Sequence, residues 1–358
     1  MTSTLDRPTT TLDEILSQPQ CWAECLRTLD QSETIRTICT HLPPDAEWLF
    51  VGCGTSYYIA LSAAALFSAI TNMPARAVPA SEVMFFPDVV LGKRGTIPVL
   101  ISRSGKTTEV VRAAQYLERE RGIRTIAVTC YNTEPLAQTS ALSILLEPAA
   151  EKSTVMTRSF SSMLLALQLL AASVARKTAL IEDLRQLPTR SIGLFQHAPT
   201  LVRDFVRHHD FENYSFLGQG PFFGIANEAM LKVMESSCSY AQVFHSLEFR
   251  HGPKSIVSPR SLLSFFLSDQ AYTAEVDLLE EMKALGATTL VVTSKPTSRI
   301  RAASDLLIEV PDASADASNL ASCALAGQLL GLYTGLKKGL DPDSPRNLSQ
   351  VVILNEPV

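Results

Sequence analysis

Residues 97–108 read Ile-Pro-Val-Leu-Ile-Ser-Arg-Ser-Gly-Lys-Thr-Thr, and this stretch decides the fold class. Its apolar first half predicts a buried strand that stops at Ser102, and a helical pattern begins near Thr107. Hydroxyls, cations and one glycine lie between the two. Small donors between a parallel strand and a helix N-terminus form a ready anion site. The sequence therefore predicts an α/β fold with an anion-binding loop at a strand end.

The tail of this loop, Gly105-Lys106-Thr107, looks like the end of a nucleotide P-loop. That motif needs a glycine five positions before Gly105, where the loop wraps a polyphosphate. Leu100 stands there, still inside the predicted strand. We therefore expect the loop to hold one phosphate group rather than a nucleoside triphosphate.

Composition indicates a soluble globular protein large enough for two domains, with 358 residues, 46% apolar content and a net charge of −5. The acidic balance and the lack of a Lys/Arg run argue against a nucleic-acid partner. The longest apolar stretch, 163–174, is too short to span a bilayer, and the N-terminus lacks a secretion signal. Seven scattered cysteines fit free thiols in a reducing cytoplasm. We expect no membrane partner, no metal site and no cofactor.

The chain contains an internal duplication, because four strand exits recur in the same order. The matched pairs are Gly54 and Gly220, Ser102 and Ser268, Thr129 and Thr293, and Pro148 and Pro311, at offsets of 166, 166, 164 and 163. Each exit follows an apolar run of strand length. Such an ordered repeat predicts two similar domains.

Segments with helical periodicity separate these strands. They span residues 56–70, 107–119, 157–175, 224–237, 273–285 and 318–337. Alternating strands and helices predict two tandem doubly wound, flavodoxin-like, three-layer αβα domains, each with a parallel sheet that binds ligands at its carboxyl edge. We expect a helical segment at 1–40, domains at 41–185 and 195–345, and a tail at 346–358 that closes the active site.

Two local signals refine these boundaries. The domain boundary is expected within 177–200, where Leu187-Pro-Thr-Arg interrupts the alternation of predicted strands and helices. The N-terminal helix is expected to open at Thr11, with Glu14 completing a capping box, and to be interrupted at Pro19.

The loop after the first strand invites a dinucleotide interpretation, since Gly52 and Gly54 follow an apolar run. The third glycine of that fingerprint would fall at Tyr57, whose ring would crowd the helix against the sheet. A nicotinamide enzyme is therefore disfavoured. Thr55 and Ser56 could be plain helix caps or phosphate donors. Two hydroxyl-rich exits in one domain favour a phosphate cradle.

A second candidate cluster runs from Glu228 to Lys254. The helix 224–237 places Glu228 and Lys232 one turn apart, and Lys232 and Glu235 also share a face. For Glu228 a surface ion-pair stripe is the better interpretation. The following loop, 244–254, carries two histidines, a carboxylate and two cations within a Pro-Gly frame, and this density of titratable groups favours a catalytic loop.

These motifs resemble the SIS (sugar isomerase) family, whose members carry two such domains and act on phosphosugars. The layout is similar to that of the isomerase half of glucosamine-6-phosphate synthase, and bacterial galactosamine-6-phosphate deaminase/isomerases are also similar. The resemblance covers nearly the whole chain. It rests on Gly54-Thr55-Ser56, on Ser102-Arg103-Ser104-Gly105-Lys106-Thr107, and on Lys232 and Glu235 followed by His251-Gly252-Pro253.

The resemblance implies a role for each matching residue. Gly54, Thr55, Ser56, Ser102, Arg103, Ser104 and Thr107 would hold the sugar 6-phosphate, and Thr154, Thr157 and Gln350 would touch other parts of the substrate. Glu235, together with Lys232, would move a proton between C1 and C2. His251 would assist ring opening and would reach in from the other subunit of a homodimer. A carboxylate on a rigid helix can perform that transfer without a metal.

Three departures from the family pattern stand out. Arg103 replaces a frequent Gln and Lys106 a frequent Glu, which should strengthen anion binding or reach a second acidic group. The synthase has a Schiff-base lysine after its C-terminal Asn-Leu-Ala, and Gln350 stands at that position here. No glutaminase domain is present, so we do not expect a synthase.

The resemblance therefore implies conversion of a 2-amino-2-deoxyhexose 6-phosphate to a ketohexose 6-phosphate and ammonia. A deglycase of a ketose-amine 6-phosphate remains open, with Arg103 or Arg250 binding the second charged part. A simple aldose–ketose isomerase also remains open. A non-catalytic sugar-phosphate sensor is the alternative from another class, but it would have no need for Glu235, and residues 1–44 show no helix-turn-helix pattern.

Overall fold

Ten strands form two five-stranded parallel sheets in the computed structural model, which describes residues 4–42, 46–92 and 95–354. Apolar β-branched and aromatic side chains fill the central strands, as expected for parallel sheets covered on both faces. The strands are β1 (Glu47–Gly52), β2 (Ala75–Pro79), β3 (Thr96–Ile101), β4 (Ile126–Thr129), β5 (Leu142–Leu145), β6 (Asn213–Gly218), β7 (Ala241–His245), β8 (Ser261–Phe266), β9 (Thr288–Thr293) and β10 (Leu306–Glu309).

Both sheets have the same strand order. The first runs β2-β1-β3-β4-β5 and the second β7-β6-β8-β9-β10, the order of flavodoxin-like folds. The predicted α/β class with parallel sheets is confirmed. The edge strands β2 and β7 are not predicted from the sequence. Strand β7 overlaps the start of the predicted catalytic loop, residues 244–254.

Fourteen α-helices lie within the described residues. Each of the six predicted helical segments corresponds to one of them, and most predicted ends lie within about two residues of the observed ends. The helices are α1 (Thr10–Leu16), α2 (Gln18–Gln31), α3 (Thr34–Thr40), α4 (Thr55–Thr71), α5 (Ala80–Phe85), α6 (Pro87–Val90), α7 (Thr108–Gln115), α8 (Pro135–Thr139), α9 (Arg158–Val174), α10 (Thr178–His208), α11 (Phe222–Ser237), α12 (Tyr272–Ala284), α13 (Ser298–Ala303) and α14 (Leu320–Lys337). The largest difference is at α7, which passes at Tyr116 into a π turn that ends at Glu120.

The interruption of secondary structure expected at Leu187-Pro-Thr-Arg is wrong, because this segment lies inside the 31-residue helix α10. Pro188 and Pro199 each remove a backbone donor from that helix. Buried side chains such as Leu184, Leu187 and Val202 hold the helix together across them. Burial of an apolar stripe therefore outweighs the local proline signal.

The chain divides into two compact units. The first-sheet unit comprises the described parts of 20–151, 158–185 and 349–358, and the second-sheet unit those of 1–19, 152–157 and 186–348. The segment 152–157 and the C-terminal residues therefore each belong to a unit that their sequence position alone would not indicate.

The duplication extends to backbone geometry at the first strand exit of each sheet. Gly54 and Gly220 have φ of 53° and 52°, in the left-handed region that favours glycine. A Cβ at Gly52 would lie 2.5 Å from the backbone of Ser56, and one at Gly218 would lie 2.5 Å from the backbone of Phe222. Both glycines allow the helix to start tightly against its strand.

The predicted capping box at the N-terminus is wrong. Thr9 caps α1, with its hydroxyl accepting from the Leu12 amide at 3.0 Å. Thr11 is buried and bonds to Asp343 instead, and the buried carboxylate of Glu14 accepts from the Lys152 and Ser153 amides at 2.6 and 3.1 Å. Pro19 lies in the first turn of α2, where a missing N–H is tolerated.

Helices α11 and α14 pack closely through three glycines spaced four residues apart on α14. A Cβ at Gly327 would collide with Ala229, one at Gly331 with the Lys232 carbonyl, and one at Gly335 with the Ser236 carbonyl. The contact is backbone to backbone, so neither helix can move aside without losing buried area.

We expect Gly331→Ala to lower the free energy of unfolding by about 1–3 kcal/mol, the usual cost of overpacking. The matched control is Gly193→Ala in α10, where a Cβ would meet nothing within 4 Å. That control should be neutral or stabilising by up to about 1 kcal/mol through helix propensity. Denaturant unfolding of both variants checks the prediction, and equal effects would contradict it.

Candidate functional site

Two polar loops lie side by side at the carboxyl edge of the first sheet. They follow β1 and β3, which pair in parallel with Val51 opposite Leu100. Thr55 and Ser56 begin α4, and both are buried. Gly54 and Thr107 are the N-cap residues of α4 and α7; Gly54 has no side chain, and the Thr107 side chain makes no capping hydrogen bond. Two helix N-termini that point toward one edge favour negative charge there.

The loop after β3 is folded around its hydroxyls. The Ser102 hydroxyl lies 3.1 Å from the Thr107 hydroxyl and accepts from the Gly105 amide at 3.2 Å. The Ser104 hydroxyl accepts from the Lys106 amide at 3.2 Å. Gly105 has φ of 65°, and a Cβ there would lie 2.9 Å from Glu134. The turn therefore holds Ser102, Ser104 and Thr107 in one small arc.

The two extra cations of this loop both pair with carboxylates of the protein. Arg103 is buried, and its guanidinium lies 3.2 Å from the buried carboxylate of Glu151 and donates to the Gln350 carbonyl at 2.7 Å. Lys106 pairs with Glu134 at 2.8 Å on the surface. The geometry therefore favours a structural role for Arg103 over the phosphate contact that the sequence suggested.

Arg103 and Glu151 fasten the C-terminal segment to this loop. The Gln350 side-chain amide donates to the Glu151 carbonyl at 3.2 Å, and the Leu354 amide donates to the Thr108 hydroxyl at 3.0 Å. The Val352 carbonyl accepts from the Thr108 amide at 3.4 Å. Gln350, one of the predicted substrate contacts, thus belongs to a C-terminal segment, residues 349–354, that is hydrogen-bonded to the start of α7. We call this segment the strap.

We expect Arg103→Gln to destabilise the protein by about 1–3 kcal/mol, because the Glu151 carboxylate keeps Ser159 as a donor but loses its buried cation. Lys106→Gln is the matched control in the same loop, where an exposed pair contributes about 0–1 kcal/mol. Hydrogen exchange at residues 349–354 should rise only in Arg103→Gln. Equal exchange in both variants would show that Arg103 does not hold the strap.

The carboxyl edge of the second sheet has a similar serine turn, but the charged group beside it is a carboxylate rather than a cation. The Ser268 hydroxyl accepts from the Ala271 amide at 3.2 Å, as Ser102 does from Gly105 in the first sheet. The buried carboxylate of Glu275 accepts from the amide and hydroxyl of Ser268 at 2.8 and 2.9 Å, and from the Ser246 hydroxyl at 2.8 Å. An internal carboxylate thus takes the donors that would serve an anion.

Two further acids lie at this edge. The Asp269 amide donates to Asp316 at 2.8 Å, and Asp269 pairs with Lys295 at 2.7 Å. Burial raises the pKa of Asp316 to about 6. Coulomb repulsion from this cluster disfavours a phosphate at the edge of the second sheet.

The half-buried Asp316 predicts a pH dependence of stability. Its folded pKa of about 6 exceeds the ordinary 3.8, so between these values the folded protein keeps a proton that the unfolded chain has lost. The free energy of unfolding should therefore fall as pH rises through this window and stay lower above it. Asp316→Asn should flatten that fall, while Asp312→Asn, an exposed neighbour, should not. Identical slopes in all three proteins would contradict this.

Helix α11 carries a buried lysine between two carboxylates. Lys232 and Glu228 are each 1% exposed and lie 3.2 Å apart, and Lys232 donates to Glu235 at 2.5 Å. Burial lowers the pKa of Lys232, but the two carboxylates raise it more, so it lies above its ordinary value. The predicted surface stripe for Glu228 is wrong, because α14 covers this face of α11 through its glycines.

Glu235 differs from Glu228 in one respect that matters for chemistry. Its side chain is 18% exposed, against 1% for Glu228, while both face the same ammonium. A group that transfers a proton must reach its substrate. Of these two carboxylates, Glu235 is therefore the one placed to do so, with Lys232 fixing its orientation.

In the loop after β7, some titratable side chains form ion pairs and others do not. Arg250 and Lys254 both bind Glu281, at 2.7 and 3.0 Å. His245 ends β7 and stacks on Phe223 with ring centroids 3.8 Å apart; partial desolvation lowers its pKa. His251 is exposed, and its ring makes no hydrogen bond within the described part of the chain.

His251 and Glu235 lie on different elements of the second-sheet unit. The chain leaves the carboxyl edge of the second sheet at His245, which pairs with Gly218. Arg250 and Lys254 bind Glu281, so His251 lies beside the second half of α12. Glu235 lies in the last turn of α11.

The segment 152–157 carries the predicted substrate residues Thr154 and Thr157 within the second-sheet unit. Glu14 holds its start through two amides, and Gln328 on α14 donates to the Thr157 carbonyl at 3.1 Å. Thr154 is half-buried between these two anchors. Sequence reasoning missed Glu14 as an anchor, since a glutamate three residues after a threonine also fits a cap.

A comparison with known families decides where the chain belongs. The model of the SIS domain family matches residues 46–173 and 212–330, one match over each sheet. This chain belongs to the SIS domain family. The resemblance stated from the sequence motifs is thereby confirmed.

Curated relatives are longer than this chain. A glutamine–fructose-6-phosphate aminotransferase (isomerizing) of Pyrobaculum aerophilum is 29% identical over 355 residues, which cover 95% of this chain and 57% of that protein. One of Chlamydia caviae is 28% identical over 315 residues, which cover 84% and 51%. The chain thus spans about half the length of the curated relatives it matches.

Solved structures of similar length share the SIS fold. A glucosamine-6-phosphate deaminase of Thermotoga maritima is 30% identical with a TM-score of 0.80, and the match covers 97% of this chain and 100% of that one. A tagatose-6-phosphate ketose/aldose isomerase of Escherichia coli is 22% identical with a TM-score of 0.83, covering 97% and 96%. The second likeness shows the fold alone.

Three further properties follow from the described residues. Across residues 4–42, 46–92 and 95–354, no helix is long and apolar enough to cross a bilayer. Over the same ranges, no group of three or more His, Cys, Asp or Glu side chains is placed to hold a metal ion. All seven cysteines are free thiols, as predicted.

Proposed function

We propose that this protein converts a 2-amino-2-deoxyhexose 6-phosphate to a ketohexose 6-phosphate and ammonia. The observation that carries the proposal is the partly exposed Glu235 beside the buried, charged Lys232. Support also comes from the glucosamine-6-phosphate deaminase of Thermotoga maritima, which matches nearly the full length of this chain. The Gln350 at the family's lysine position favours a reaction without a Schiff base.

The proposed chemistry uses one carboxylate. Glu235 takes the C2 proton of the open-chain amino aldose; the C–H electrons form a C1–C2 double bond, and the C1 carbonyl oxygen takes up a proton from solvent, giving an enolamine. Glu235 then returns the proton to C1 while the nitrogen lone pair forms a C2–N double bond, and loss of a nitrogen proton to solvent leaves a ketimine at C2. Water adds to the ketimine carbon, and ammonia leaves as the ketone forms. A base held near its substrate contributes about 10²–10⁴-fold to such a proton transfer.

In this proposal the first-sheet unit binds the 6-phosphate. Ser56, Ser102, Ser104 and Thr107 supply hydroxyls, and the starts of α4 and α7, which their N-cap side chains do not cap, supply amide dipoles. Arg103 acts behind this shell, because Glu151 and Gln350 already bind its guanidinium. A phosphate grip remote from C1 and C2 orients the reacting carbons.

We further propose that His251 serves the site of a second copy in a homodimer. Its exposed ring, which makes no hydrogen bond within the described part of the chain, supports this assignment. His251 would then give or take the ring-oxygen proton during ring opening. A mixture of Glu235→Gln and His251→Ala chains should regain activity, since one of the two sites in a mixed dimer is intact.

The deglycase alternative receives no support from the structure. It needs a cation for the second charged part of its substrate, and Arg103 and Arg250 are bound to Glu151 and Glu281. A simple isomerase uses the same Glu235 chemistry without loss of ammonia. The two therefore differ in product rather than in machinery.

The experiment that tests the proposal is a paired assay of ammonia and ketohexose phosphate from glucosamine 6-phosphate and galactosamine 6-phosphate. We expect equal amounts of the two products from at least one substrate. Interconversion of aldose and ketose phosphates with no ammonia from either amino sugar would overturn the deaminase assignment.

A further inference from the structure

A second cavity opens in the first-sheet unit, at the amino ends of its strands. It has a volume of about 360 Å³ and lies between α3 and the first residues of β3, β4 and β5. Strand β3 has six residues, so the cavity is roughly 20 Å from the phosphate-binding loop at the other end of that strand. It is therefore separate from the site already described.

The walls of this cavity are apolar. Six aliphatic side chains line it, namely Ile38, Leu42, Ile97, Ile123, Ile126 and Leu142. The backbone donors at this edge are already bound, since Glu118 accepts from the Thr125 amide at 2.6 Å and from the Ala141 amide at 3.0 Å. A sugar would lose hydrogen bonds to water here without replacing them, which costs free energy.

Among the described residues that line the cavity, Arg124 is the one arginine or lysine. Arg124 lines the cavity and is exposed, and no carboxylate lies within ion-pair distance of it among the described residues. His41 stands on the same rim with Nδ1 2.8 Å from the Thr37 carbonyl, which leaves Nε2 for a ligand. An apolar cavity beside a guanidinium that pairs with no carboxylate of the described residues complements a molecule with an apolar chain and a carboxylate head.

We propose that this cavity binds a small amphipathic carboxylate, with its chain among the six aliphatic residues and its head on Arg124. The size fits this class, because a dry cavity of about 150 Å³ already holds benzene. The proposal does not depend on the reaction at Glu235. It assigns a second ligand site to the first-sheet unit.

Octanoate is the probe that tests this assignment, by calorimetric titration of the full-length chain. We expect one binding site per chain and about tenfold weaker binding in Arg124→Gln. Arg121→Gln is the matched control, since Arg121 is an exposed neighbour outside the cavity, and it should bind as the wild type does. Octan-1-ol should bind the wild type no more tightly than octanoate binds Arg124→Gln.

The apolar part of the site is tested by Ile123→Trp, which fills the cavity from a half-buried position and should abolish binding. Leu142→Trp, also half-buried, serves if the first variant does not fold by circular dichroism. Absence of octanoate binding to the wild type, or equal binding to Arg124→Gln or to the filled variants, would overturn the proposal. A change of oligomeric state in Ile123→Trp without octanoate binding would assign this face to a contact between copies instead.

Discussion

Replacing Glu235 by Gln is expected to lower kcat by about 10²–10⁴-fold, with little change in KM. The amide has nearly the same shape but cannot accept the C2 proton, and the hydroxyls proposed to bind the phosphate in the first-sheet unit are unchanged. Turnover of glucosamine 6-phosphate and galactosamine 6-phosphate, measured by ammonia release, gives both constants.

Glu228→Gln is the matched control for this prediction. Glu228 lies on the same helix and faces the same lysine, but at 1% exposure it cannot touch a substrate. We expect it to lower stability while keeping most of the activity. Full activity in Glu235→Gln, or an equal loss in both variants, would show that Glu235 is not the base.

Replacing Lys232 by Met is expected to destabilise the protein by about 3–5 kcal/mol, the usual effect of removing one partner from a buried ion pair. The buried carboxylate of Glu228 would lose its cation, while Met fills similar space. Denaturant unfolding at pH 7 measures the loss. Because the folded pKa of Lys232 is raised, the wild-type pair contributes fully below the ordinary value near 10.5, and its contribution is lost only as pH rises through the higher folded value.

The double variant Lys232→Met with Glu228→Gln tests the cause of this loss. Removing the stranded carboxylate should recover part of the stability, since a neutral buried pair avoids the desolvation of a lone charge. If the loss of unfolding free energy in the double variant equals the sum of the losses in the two single variants, packing rather than charge explains the effect.

The strand exits of this protein were predictable because each combines an apolar run with small residues. Gly54, Ser102, Gly220 and Ser268 stand where the repeat placed them, and the helices after them begin within two residues of the predicted starts. The edge strands β2 and β7 lack that signal. Every residue of β2 is half-buried and one is Arg76, so neither an apolar run nor an alternation marks it.

Burial of charges could not be read from the sequence. Glu228 and Lys232 have the spacing of an ordinary surface pair, and only the glycines of α14, about a hundred residues later, place them inside. Arg103 likewise looked like a phosphate ligand because Glu151 and Gln350 are distant in sequence. The domain boundaries, the three-layer packing and the roles of Thr154 and Thr157 remain predictions.

Transfer of the C2 hydrogen to C1 is the central claim of this account. Glucosamine 6-phosphate or galactosamine 6-phosphate labelled with deuterium at C2, whichever the protein deaminates, tests it directly in unlabelled water. We expect part of the label at C1 of the ketohexose 6-phosphate, because one carboxylate removes and returns the same hydrogen before exchange with water is complete. Complete loss of the deuterium to water, with none at C1 of the ketohexose 6-phosphate even in the earliest product, would contradict transfer of the C2 hydrogen by one carboxylate.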